Sequence, residues 1–214
     1  MITELLYRWR LEEQSKHLRH LKVVYVTDLA RCPLKRKFEL KFPELGKYDL
    51  LSPAGVLGTL VHMGFELFLE RYAMKEGYNV LTELELSKVV DIEGEEYVIN
   101  GRIDALLISM NSSDSLVVEL KTSKSDTSIP YEHHILQAQI YAWMANASDA
   151  ILIYFTPERI AEFRLRTLEK SKLSDNEVKR LLKETISITV APRYEWECKY
   201  CKFANICPNK ITAQ

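Results

Sequence analysis

Two segments of alternating character, LTELELSKVVDI (81–92) and EEYVINGRIDALLIS (95–109), constrain this chain more than any other feature. Alternation with period two places side chains on opposite faces of extended backbone, so both segments read as β-strands. Only Glu93-Gly94 lies between them, and that spacing predicts a tight hairpin. A turn over Asn111–Ser115 leads into LVVELK, a third strand.

Helical patterns surround this meander. Residues 1–20 read as a helix, and a second begins near Thr27 or Asp28, with Cys32 in or near its first turns. Ser52-Pro53 opens a longer one through LGTLVHMGFELFLERYAMKEG, which carries His62 and Glu66 and ends at Gly77. Residues 131–147 return to helical spacing. Ala150–Phe155 suits a buried strand, IAEFRLRT an edge strand, and Leu173–Ile186 a helix. The expected architecture is α/β: a mixed sheet flanked by helices. With 214 residues, 47% of them hydrophobic, and no low-complexity linker, a single domain over 1–214 is expected.

The net charge of −1 excludes a chain drawn to nucleic acid by its overall field, so any polyanion contact is local. Lys35, Arg36, Lys37 and Lys41, near Cys32, are one such local set; the alternative is a solvated helix face. The first residues interrupt apolar positions with charges every few places. That pattern fits neither a signal peptide nor a spanning helix, and a soluble cytoplasmic protein without membrane contact is expected.

In LVVELK, Glu119 and Lys121 project to the same side while Leu120 points into the core. A hairpin around 111–115 brings Asp104 of GRIDALL beside Glu119. Two carboxylates can hold a hard divalent ion that polarises a phosphate and a bound water, and an ammonium beside them stabilises developing negative charge. An isolated E-x-K is more often a surface salt bridge, but charged groups at the end of an apolar strand need partners or a metal. His62, one helical turn before Glu66, is a further candidate nitrogen ligand, weighed against a hydrogen-bonded core histidine. Gln137 and Tyr141 repeat the four-residue spacing and suit contacts to phosphate or base.

Cys32 stands apart from Cys198, Cys201 and Cys207, which form C-x2-C-x5-C. This is metal-site spacing rather than a disulfide framework, and four thiolates suit zinc or an iron–sulfur cluster. Pro follows both Cys32 and Cys207, which leans toward the cluster. Either centre closes a loop across the chain.

Six segments in order, LARCPLKRKFELKF, GTLVHMGFE, GRIDALL, VVELKTSK, QAQIY and CKYCKFANICP, resemble the CRISPR-associated RecB-like exonucleases, the fourth family in CRISPR-associated naming. The resemblance implies a PD-(D/E)xK restriction-endonuclease-like core with Mn2+ or Mg2+ held by His62, Asp104, Glu119 and the Leu120 carbonyl, and Lys121 as the catalytic lysine beside Asp104 and Glu119. It implies DNA binding by Gln137 and Tyr141. It also implies an iron–sulfur cluster on Cys32, Cys198, Cys201 and Cys207, four-iron in preference to two-iron, with 27–42 and 191–209 as the cluster region. Family members act on single-stranded DNA ends and prepare spacers alongside CRISPR integrase proteins. Residues 1–26 and 156–190 match no motif. Two other readings remain: a DNA- or partner-binding iron–sulfur or zinc module without catalysis, and an endonuclease of restriction or repair type. An apolar helix face serves a core or a homo-oligomer interface equally well.

Overall fold

The computed structural model describes residues 1–15, 19–45 and 52–211. The long hairpin is present as expected. β2 (Tyr78–Ile92) and β3 (Glu95–Ser109) pair antiparallel along their length. Glu93 and Gly94 both take positive φ, 57° and 85°, as a type I′ hairpin requires. β4 (Ser115–Thr122) returns antiparallel on β3, β5 (Asp149–Phe155) lies parallel to β4, and β6 (Ile160–Arg164) forms an edge against β5. Among the described residues the sheet has six strands and is mixed.

A strand missing from the sequence reading is β1 (Val23–Tyr25), parallel to Val98–Asn100. Three residues are too few for alternation to declare itself. Since β2 occupies one edge of β3, β1 and β4 lie in succession along the other.

The helices cover both faces. α4 (Pro53–Tyr72) packs Phe65 and Leu69 against Val80, Ala105, Leu107, Val118 and Ile153. The neighbouring residue Val117 belongs to the other layer, with α5 (Glu132–Met144) and α6 (Asp175–Ser187), as alternation on a strand demands. α5 lies deep: Ala138, Ile140 and Ala142 are fully buried. α4 closes in a short 3-10 turn ending at Gly77, left-handed at φ 82°.

The N-terminal region differs in detail from the sequence expectation. α1 covers Ile2–Ser15, and residues 16–18 of the expected helix lie outside the described residues. The expected second helix is two: α2 (Val26–Leu29) and α3 (Pro33–Lys41). Pro33 lacks a donor and disfavours helical backbone in the residue before it, so Cys32 becomes the N-cap of α3. Arg36 is also withdrawn from the basic set. It is buried, and its Nη2 donates to the carbonyls of His20, Leu21 and Val23.

Candidate active site and cysteine centre

The site grows from a fork in the sheet. The last registered pair of β3 and β4 is Ala105 with Val118, and one residue further on each strand stand Asp104 and Glu119. There the strands part. The ladder with β2 breaks at the same level, since Thr82 pairs Ala105 and Leu84 pairs Ile103 while Glu83 turns left-handed at φ 49°. A non-glycine residue held there costs about 1–3 kcal/mol, and such strain gathers at functional sites. Asp104 therefore sits where both ladders are interrupted. Its Oδ2 accepts the Leu120 N–H at 2.6 Å and its Oδ1 lies 3.1 Å from His62 Nδ1.

Glu119 and Lys121 share one side of β4, as alternation predicts. Lys121 Nζ donates to Glu119 Oε1 at 2.6 Å and to Gln137 Oε1 at 3.0 Å, while Gln137 Nε2 donates to Glu119 Oε1 at 2.9 Å and to the Tyr141 hydroxyl at 3.4 Å. Gln137 and Tyr141 thus lie buried one turn apart on α5, with their polar ends on the Glu119–Lys121 pair. Burial pushes the Glu119 carboxyl up to about 7 against the pull of Lys121. Its Oε2 is buried with no hydrogen-bond partner among the described residues. A buried carboxylate oxygen without a donor is costly unless a cation completes it.

On the other side of Asp104, α4 contributes two groups. Ligand atoms of His62, Glu66 and Asp104 all lie within 4.8 Å of one another, close enough to hold one ion. Glu66, noted on the helix face but left out of the expected ligand set, joins the cluster because one helical turn aligns it with His62. Burial lowers the His62 pKa, but the Asp104 hydrogen bond and the charges of Asp104 and Glu119 outweigh it, so the net shift is upward. Burial, with Glu83 beside it, pushes Glu66 up to about 7. Imidazole and carboxylates form a donor set suited to Mg2+ or Mn2+, and the orphaned Glu119 oxygen fits the same purpose.

The four cysteines converge, although residue 32 and residues 198–207 are far apart in sequence. All are free thiols, and all line one cavity of about 70 Å3 with Arg31, Lys35 and Trp196. Burial raises the thiols of Cys32 and Cys201. A thiol set gathered around one space is the donor set of zinc or an iron–sulfur centre. Glu197, unmarked by any sequence motif, ties the two segments: its Oε1 accepts the Cys32 N–H at 2.8 Å, and its Oε2 accepts those of Arg193 and Tyr194 at 3.0 Å.

A mixed sheet whose central strands part around paired, buried carboxylates and a lysine is the core of a metal-dependent nuclease. Residues 68–208 match the family model described as the PD-(D/E)XK nuclease superfamily. The CRISPR-associated exonuclease Cas4 of Saccharolobus solfataricus is 40% identical over 212 residues, 99% of this chain and 100% of that protein. The crystal structure of SSO0001 superposes with a TM-score of 0.89 at 39% identity, covering 99% of this chain and 98% of that one. An alkaline exonuclease from Laribacter hongkongensis, LHK-Exo, shares the fold at a TM-score of 0.50 and 14% identity, over 95% of this chain and all of that one. The chain belongs to the PD-(D/E)XK nuclease superfamily and, within it, to the CRISPR-associated Cas4 exonuclease family. It is a nuclease, of a superfamily that uses divalent metal ions. Among the described residues no helix is long and apolar enough to cross a membrane.

Proposed function

We propose that this chain is an exonuclease of single-stranded DNA ends that processes DNA for CRISPR spacer acquisition. The observation that carries the chemistry is the buried, unpartnered Oε2 of Glu119, beside Asp104 and under the fixed ammonium of Lys121. In this reading His62, Asp104, Glu119 and the Leu120 carbonyl hold Mn2+ or Mg2+, which when bound polarises the scissile phosphate and acidifies a water. Lys121 stabilises the charge of the attacking oxygen and of the transition state. Gln137, supported by Tyr141, keeps Glu119 and Lys121 aligned; both are buried, so they serve DNA through that pair rather than by the direct phosphate or base contacts expected of them.

Cys32, Cys198, Cys201 and Cys207 hold a four-iron cluster, with 27–42 and 191–209 as its region of the single domain. The cluster staples the ends of the chain together. A cytoplasmic location and CRISPR integrase proteins as partners belong to the same reading; the name of the 40%-identical relative supports its CRISPR-associated character.

The test uses end-labelled linear and circular single strands with Mn2+. Stepwise shortening of the linear strand and an intact circle are expected; cutting of the circle makes the chain an endonuclease. Anaerobically purified protein is expected to be brown and to contain iron and sulfide. Colourless, zinc-loaded protein with full activity refutes the cluster.

A further inference from the structure

Helix α1 lies outside both the matched family segment and every sequence motif, yet it forms a wall of the active-site cleft. The cleft has a volume of about 540 Å3, within the roughly 300–1,000 Å3 typical of sites for small organic ligands. Trp9 and Arg10 line it on the α1 side, facing His62, Glu66 and Asp104.

Charge gives this wall a role. Glu66, Glu83 and Asp104 line the cleft, and Arg102 offsets only Glu83, so before a cation binds, a DNA phosphate entering it meets uncompensated carboxylate charge. Arg102, in the same cleft, is bound to Glu83 at 2.7 Å, so its charge is already offset. Arg10 is placed differently. Its Nη1 donates to the neutral Thr59 hydroxyl at 2.6 Å, and that hydroxyl donates on to the Gly55 carbonyl at 3.0 Å, which anchors the guanidinium to α4. Its Nε is buried with no partner among the described residues. A guanidinium has five N–H donors in a fixed fork, and such a fork matches phosphate oxygens. The preceding residue, Trp9, is half-buried and brings an indole ring to the same wall. An aromatic face accepts any unpaired base, whereas bases in a duplex are already stacked on both sides.

We propose that Trp9 and Arg10 form a nucleotide subsite on the α1 wall, in which the indole stacks on an unpaired base next to the scissile phosphate and the guanidinium takes a neighbouring phosphate. The subsite rests on the reading of the chain as a nuclease of single-stranded DNA, and it supplies the preference for unpaired strands within that reading.

The experiment measures binding of fluorescent oligothymidylate by anisotropy, in Ca2+ and in a Lys121→Ala background that prevents cutting. Strands carrying one abasic position near the end are compared with intact ones. Trp9→Ala is expected to weaken binding of the intact strand on the order of tenfold, with Trp9→Phe close to the parent. The parent is expected to lose a similar factor on the abasic strand, and Trp9→Ala to lose nothing more there. Arg10→Gln is expected to flatten the salt dependence by about one phosphate contact for every strand.

Equal weakening of intact and abasic strands by Trp9→Ala means only that α1 has loosened, and overturns the stacking role. Unchanged binding by the Trp9 and Arg10 variants of a protein that binds and cuts single strands refutes the subsite and leaves the proposed nuclease function standing. A wild-type protein that neither binds nor cuts single strands refutes that function, and the subsite with it.

Discussion

Asp104 accepts the main-chain N–H of Leu120 at 2.6 Å, across the fork where β3 and β4 part. The same carboxylate meets His62 through its other oxygen. One side chain therefore sets the position of α4 against the end of β4, and it does so at the level where Glu119 and Lys121 part from β3 while staying paired with β5.

Asp104→Asn keeps an oxygen for the Leu120 N–H and loses the charge. Its turnover is expected to fall by about two to three orders of magnitude, the scale of a lost electrostatic group at a reacting centre, while denaturant unfolding stays near wild type. Asp104→Ala is expected to lose activity and also about 1–3 kcal/mol of stability, because the buried N–H is left without an acceptor. Appreciable turnover by Asp104→Asn counts against its place in the site.

Glu119, with its carboxyl pushed up to about 7, is protonated in the folded protein over a range where the unfolded chain has ionised. A raised folded-state pKa contributes stability below the unfolded value near 4.5, and this contribution disappears as pH rises through about 7. The metal-free protein is therefore expected to lose stability across that window, and Mn2+ to restore it. Calorimetry in buffers of different ionisation enthalpy is expected to show proton release on Mn2+ binding below pH 7, with affinity rising as pH rises through that range. Affinity independent of pH between 5 and 7 contradicts the assignment.

Gly101 is required by close approach rather than by its backbone angles. A Cβ there meets Tyr141 Cε1 at 2.5 Å and Val26 Cγ2 at 2.7 Å. Gly101→Ala is expected to cost about 1–3 kcal/mol through overpacking and to lower turnover, since Tyr141 must shift and Gln137 bonds to its hydroxyl. Denaturant unfolding and steady-state kinetics on one preparation check both parts; a variant matching wild type in each shows that the contact relaxes without consequence.

Glu197 is expected to matter for the cysteine centre although it carries no sulfur. Glu197→Ala removes the acceptor of three main-chain N–H groups and is expected to cost roughly 2–3 kcal/mol and to reduce iron retained per chain. Urea unfolding and iron analysis measure the two effects. Full iron content in the alanine variant shows that the thiols alone gather the segments.

The long hairpin, the β4 strand and α4 to α6 were legible because each is long enough for period two or 3.6 to repeat. The same alternation placed Glu119 and Lys121 together, and the hairpin placed Asp104 opposite. β1 and the break between α2 and α3 were not legible as elements, being three or four residues long and set by packing. Glu66 was visible on its helix but not its nearness to Asp104. Trp9, Arg10, Glu83 and Glu197 carried no motif, because their roles depend on partners far away in sequence.

By itself the sequence determined which side chains share a face and could bind a metal, since residue types and their spacing decide that, and the order of its six segments carried the resemblance to a nuclease family. Only the tertiary structure decided that the two ladders break together at Asp104, that Glu119 keeps an oxygen unpartnered, that Gln137 faces Lys121, and that α1 walls the cleft. Those are consequences of how separate elements pack, and packing is fixed by shape and burial across the whole chain rather than by any local pattern.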